Sequence, residues 1–291
     1  MKHIGIVGLG LIGGSLALNA KKHFANCITY GADLDSTHLK EAQELGWIDK
    51  ELTTANFPQL DLLLLAIPVD ALQEQLANYL DLLGPQGLLI DFGSTKAALC
   101  QQLKNHPKRH QYLATHPIAG TEFSGPQAAF TSLFEHKTQI LCETEKTAAD
   151  LLDHAVSWFK KMKMQLIVMD PEEHDKHIAY VSHLSHISSF MLGKTVLEKE
   201  TDQSTIFELA GSGFESTVRL AKSSPEMWTP IFKVNKPYIL ETLKEYINNL
   251  KNFQNLIEDD NFDAVFQEMK TINSIRGVLE GITNKNSTYG K

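Results

Sequence analysis

Four stretches concentrate residues able to hold a phosphate, move a proton or grip an anion. In GLGLIGG, Gly8, Gly10 and Gly13 form GxGxxG directly after the apolar run HIGIVG. Only glycine lets the backbone turn there and approach a pyrophosphate closely, while the following helix offers unpaired N–H groups and its positive dipole end. Leu11 and Ile12 lie inside this fingerprint and belong with its cofactor-binding residues. Asp33 ends CITYGAD, 20 residues beyond Gly13, where a carboxylate accepts from the adenosine ribose. With Leu34 next rather than arginine, that carboxylate repels a 2′-phosphate, which favours NAD over NADP; Asp35 competes for the role. A glycine-rich turn without a nucleotide is the alternative.

IDFGSTK and HPIAGTEFSG each close an apolar run that suits a strand. In open parallel sheets ligands gather outside the carboxyl ends of strands, so Ser94 either faces a nicotinamide or substrate there or caps a helix. His116 is a natural general base, because an imidazole titrates near neutrality and accepts a proton as an alcohol is oxidised. Pro117 restricts it to extended backbone, and Gly120, Thr121, Glu122 and Ser124 supply polar contacts in a tight turn. A plain surface loop is the competing reading. Arg219, in AGSGFESTVRLAKSSPEMW, matches a planar carboxylate through its two-pronged guanidinium; on a surface helix it would bind nothing.

Four histidines follow Pro171: His174, His177, His183 and His186. His183 and His186 share a helical face, but no carboxylate interrupts residues 178–190 and the pattern is not HExxH. Buried histidines with satisfied hydrogen bonds are expected rather than a metal site.

The elements that must position these groups alternate in the first half of the chain. Strand patterns at HIGIVG, CITYGAD, LDLLLLAIP, GLLIDFG, QYLAT and MQLIVMD enclose helical ones, including STHLKEAQELG begun by Ser36, which is the signature of a parallel sheet. Beyond Pro171 only long helical patterns remain, so a boundary is expected near Asp170 between domains 1–170 and 171–291. With 43% hydrophobic and 21% charged residues, 291 residues can fill about two ordinary domains. A net charge of −8 argues against nucleic acid. Cys27, Cys100 and Cys142 are far apart, suggesting neither disulfides nor a thiolate metal site. No secretion signal or membrane-length apolar run is visible, so a cytoplasmic, membrane-free protein is expected.

Together these residues resemble the prephenate and arogenate dehydrogenases of tyrosine biosynthesis. The resemblance rests on GLGLIGGSLA, DFGSTK, HPIAGTEFSG, HDKHIAYVSHLSHISSF and GSGFESTVRLAKSSPEMW, in the family's order and spacing. It implies an α/β Rossmann-type NAD-binding domain followed by an all-α helical substrate-binding and dimerisation domain, a homodimer, and an active site between the domains. By the same resemblance Ser94 and His116 contact the ring hydroxyl, with His116 as proton acceptor. Thr121 and Glu122 shape and gate the site, His186 lies beside the substrate, and Arg219 holds a carboxylate. The implied reaction is oxidative decarboxylation of prephenate to 4-hydroxyphenylpyruvate and CO2, with arogenate as the alternative substrate. Regulation by tyrosine through an appended ACT domain is not expected, while competition by tyrosine at the site stays open. Two rivals remain: a β-hydroxyacid dehydrogenase, which would want a catalytic lysine where this chain offers histidines, and a non-catalytic nucleotide sensor.

Overall fold

The computed structural model describes residues 1–121, 123, 125–202 and 205–281. Its first part alternates β1 (His3–Val7), α1 (Leu11–His23), β2 (Ile28–Ala32), α2 (Ser36–Glu44) and the two-residue β3 (Lys50–Glu51). It continues with β4 (Leu62–Leu65), α3 (Val69–Leu82), β5 (Leu88–Asp91), α4 (Ala97–Gln102), β6 (Tyr112–Pro117), β7 (Thr138–Cys142), α5 (Ala149–Lys161) and β8 (Gln165–Met169). The eight strands form one sheet in the order β3-β2-β1-β4-β5-β6-β7-β8.

Central strands covered on both faces must be apolar throughout, and LLLL of β4 and LLID of β5 are buried at every position. Successive side chains alternate between faces. Ile4, Ile6, Leu62, Leu64 and Ile90 pack with Leu16 and Ala20 of α1 and Trp158 and Phe159 of α5. Val7, Leu63, Leu65 and Leu89 pack on the other face with Leu72, Leu76 and Leu80 of α3. Emptying one such position, as in Leu64→Ala, costs roughly 2–5 kcal/mol.

One local feature differs from the sequence reading. The strands from β3 to β6 are mutually parallel, but β7 pairs antiparallel with β6, and β8 runs parallel to β7. A parallel return needs a crossover, usually a helix; between β6 and β7 the described residues form only short 3-10 turns, at Pro126–Ala128 and Thr131–Phe134. Helix α2 begins at Ser36, as its pattern suggested, and is capped by Asp35, whose carboxylate accepts from the Thr37 N–H at 2.8 Å. Gly46, at φ +71°, lies just beyond its carboxyl end.

After β8 the described chain is helical: α6 (Pro171–Ile178), a π turn (Ala179–His183), α7 (Leu184–Asp202), α8 (Ser212–Val218), α9 (Pro225–Val234), α10 (Lys236–Glu258) and α11 (Phe262–Ile272). Compactness divides the chain after Lys236. Thus α6 to α9 share a unit with the sheet, and Trp228 and Ile231 of α9 pack on Val69 of α3. No described helix is long and apolar enough to cross a membrane.

Candidate active site

Parallel pairing aligns the carboxyl ends of neighbouring strands, since Val7 registers with Leu65, and Asp91 with Ala114. The glycine turn after β1, the segment bearing Ser94 after β5 and His116 near the end of β6 therefore meet on one edge of the sheet.

At the nucleotide end, each glycine of the fingerprint has its own reason. Gly8 adopts φ +87°, and a Cβ there would sit 2.4 Å from the Ala66 carbonyl oxygen. A Cβ on Gly13 would fall 1.7 Å from the Gly8 carbonyl oxygen, so this glycine is required for α1 to touch the turn. A Cβ on Gly10 would meet nothing within 4 Å; that is the open approach a pyrophosphate needs. No side chain caps α1 and no acidic residue occupies its first turn, which leaves its N–H groups available to an anion. Leu11 and Ile12 pack their side chains against the core. The Asp33 carboxylate accepts from the N–H groups of Leu9 (2.7 Å) and Asp35 (2.9 Å), fixing it beside the turn. With its carboxylate turned to α2, Asp35 is the weaker ribose candidate.

Ser94 does not cap α4. That helix receives its cap from 79 residues away in sequence: the Asp175 carboxylate accepts from the N–H groups of Lys96 (2.7 Å) and Ala97 (2.9 Å). The Ser94 hydroxyl bonds no described residue and stays available to a ligand. Two residues on, the Lys96 ammonium belongs to a buried network in which it pairs with Asp91 and donates to the Thr115 carbonyl at 2.7 Å. The Tyr112 hydroxyl donates to the same Asp91 at 2.7 Å. Both charged side chains are inaccessible to solvent, a geometry tolerable only when paired and hydrogen-bonded.

His116 directly follows Thr115, whose carbonyl belongs to this network. Its Nδ1 lies 2.9 Å from His174 Nε2, the two rings crossing at 80°, and His174 Nδ1 lies 2.7 Å from the Asp175 carboxylate. Burial first, and then electrostatic interaction with His174, Lys96 and His183, holds the His116 pKa well below its ordinary 6.5. The imidazole is thereby neutral at physiological pH, as a base must be.

Beyond the base, His183 is buried and bonded to the Asn235 side chain at 3.1 Å; burial lowers its pKa to about 4. Its place is structural, as the apolar helix suggested. His186 is half-buried, 2.9 Å from the Ser182 carbonyl through Nδ1, and stacked on Trp228 with ring centroids 3.5 Å apart. Burial lowers its pKa, the Ser182 carbonyl opposes this, and Arg219 lowers it further. Arg219 itself is exposed, near enough for its charge to be felt at His186, and pairs with no described carboxylate. Thr121 is exposed, and its hydroxyl accepts from the Phe123 N–H at 3.3 Å. Glu122 lies outside the described residues.

Sequence reasoning missed His174, Asp175 and Lys96 as site members. One signal was present for Lys96: a lysine at a helix N-terminus opposes the helix dipole, which points to a buried anionic partner. Asp175 follows His174 directly, but nothing local indicates that it caps α4.

A neutral imidazole beside a nucleotide cradle takes a proton from an alcohol as hydride departs, so fold and site define a dinucleotide-dependent dehydrogenase. Residues 16–168 match the prephenate dehydrogenase nucleotide-binding domain and residues 170–271 the prephenate dehydrogenase dimerization domain. The chain belongs to the prephenate dehydrogenase family. It is 31% identical over 282 residues to the prephenate dehydrogenase of Bacillus subtilis, covering 94% of this chain and 75% of that protein. It is 29% identical to the cyclohexadienyl dehydrogenase of Zymomonas mobilis, covering 96% of each. The crystal structure of prephenate dehydrogenase from Aquifex aeolicus in complex with hydroxyphenyl propionate and NAD+ superposes with a TM-score of 0.87 at 30% identity, covering 96% of this chain and 98% of that one.

Proposed function

We propose that this enzyme catalyses the NAD-dependent oxidative decarboxylation of prephenate to 4-hydroxyphenylpyruvate and CO2. The observation that carries the reading is His116, kept neutral by burial at the strand edge that also bears the glycine turn. Gly8, Gly10, Leu11, Ile12 and Gly13 would cradle the NAD pyrophosphate and Asp33 its ribose. When bound, the nicotinamide supplies the hydride acceptor. His116 takes the proton of the C4 hydroxyl, Ser94 orients that hydroxyl, and Arg219 holds a substrate carboxylate. Loss of CO2 makes the ring aromatic, which drives the reaction, and the proton held on His116 returns to the phenolic oxygen. The protein's contribution is therefore orientation and the handling of one proton. Thr121 and Glu122 would help to shape and gate the site, and 171–291 would act as a substrate-binding and dimerisation domain in a homodimer.

Arogenate is the second reading, and His186 favours it. Its Nδ1–H must donate to the Ser182 carbonyl, which leaves Nε2 as a lone pair in the neutral ring. Such an acceptor suits the ammonium of arogenate better than the keto oxygen of prephenate. Measuring kcat/KM for prephenate and arogenate, each with NAD and NADP, tests both readings. Preference for prephenate with NAD is expected; activity on arogenate alone, or on neither, overturns the proposal.

A further inference from the structure

We infer that His174 and Asp175 are positioning residues that decide which nitrogen of His116 is basic. This rests on the reading of His116 as the proton acceptor and adds how the acceptor is prepared. The Asp175 carboxylate can only accept, so the 2.7 Å bond from His174 places a proton on His174 Nδ1. In a neutral ring His174 Nε2 is then a lone pair. The 2.9 Å bond between His174 Nε2 and His116 Nδ1 must be donated by His116, so His116 carries its proton on Nδ1. The nitrogen left for a substrate hydroxyl is His116 Nε2, unprotonated and ready to accept.

A doubly protonated His174 would reverse the second bond and leave a hydrogen on His116 Nε2, blocking the base. His174 is only 1% exposed, and Asp175 already accepts two backbone N–H groups from the start of α4. Those bonds stabilise the carboxylate without a second charge on the histidine. They also tie the helix beginning just after Ser94 to the aspartate that sets the base. Asn235 secures the other side by donating to the Asp175 carbonyl at 2.8 Å. When His116 takes a proton, its Nδ1–H keeps the His174 acceptor, so the imidazolium forms without rearrangement of the chain.

Ring-nitrogen NMR of the full-length protein labelled with 15N-histidine tests this without any substrate. The wild type should show His116 protonated on Nδ1 and bare on Nε2; a protonated Nε2 in the resting protein overturns the inference, whether or not prephenate is oxidised. If that tautomer is found and prephenate is not turned over, the proposed substrate fails alone. In His174→Phe the tautomer preference should be lost and kcat should fall by about tenfold to a thousandfold, with KM and NADH affinity unchanged. His174→Gln, whose carbonyl can accept from His116 Nδ1–H, should restore most of the rate. A loss confined to KM, or equal losses in both variants, would reduce His174 to packing.

Discussion

The nucleotide end of the site is built from backbone, whereas the base end is built from side chains. Residues 8–13 form the cradle in one continuous turn, and what matters there is the space left where a Cβ is missing. The base end draws Asp91, Lys96, His116, His174 and Asp175 from β5, the start of α4, β6 and α6 into one hydrogen-bonded set. The first end is sensitive to any atom added at its glycines. At the second, removing one polar atom strands another in a buried setting, where an unmet hydrogen bond costs about 1–3 kcal/mol.

The largest expected effect lies at the base end. His116→Asn should lower kcat by about 10²–10⁴-fold, the contribution of a general base, while NADH affinity measured by fluorescence stays at the wild-type value. Coupled loss of NADH affinity would show that the two ends are not separable.

Next comes acid sensitivity. His183 is buried with a pKa lowered to about 4, and burial lowers His116 in the same direction. The unfolded chain binds these protons near pH 6.5 while the folded one refuses them. Stability from both groups is thus complete above pH 6.5 and declines below it; for His183 the loss runs down towards pH 4 and amounts to roughly 3 kcal/mol. Urea titrations across that range should give a flatter profile for His183→Gln; identical slopes would remove His183 from the acid response.

Gly10→Val separates the ends from the other side. With nothing within 4 Å of a Cβ there, the thermal midpoint should barely move, whereas NADH affinity should drop by about tenfold or more as the pyrophosphate path fills. Gly13→Val, whose Cβ would meet the Gly8 carbonyl, should lower the midpoint as well. A smaller effect is expected for Arg219→Ala. An exposed arginine that meets a carboxylate only when substrate binds should raise KM by about tenfold, with kcat nearly unchanged. An unchanged KM would make Arg219 an ordinary surface residue.

The contrast between the ends also explains what the amino-acid order reveals. Gly8, Gly10, Gly13 and Asp33 are legible because steric demand and local spacing are written in one βαβ unit. His116 is legible because QYLAT delivers it to a strand end. Its partners are not: His174 lies 58 residues away, and it looked like one of four helical histidines. The capping of α4 by Asp175 and the reversal of β7 depend on long-range pairing that no local periodicity records. The π turn at Ala179–His183 is equally hidden, although His183 and His186 still meet the same Trp228 ring, as their spacing suggested.

The central claim is that one site couples hydride loss from C4 to departure of the ring carboxylate. Single-turnover stoichiometry with carboxyl-labelled prephenate and saturating NAD tests it most directly. One NADH and one CO2 should appear together for each prephenate consumed. NADH without CO2, or no reduction of NAD at all, would contradict the account.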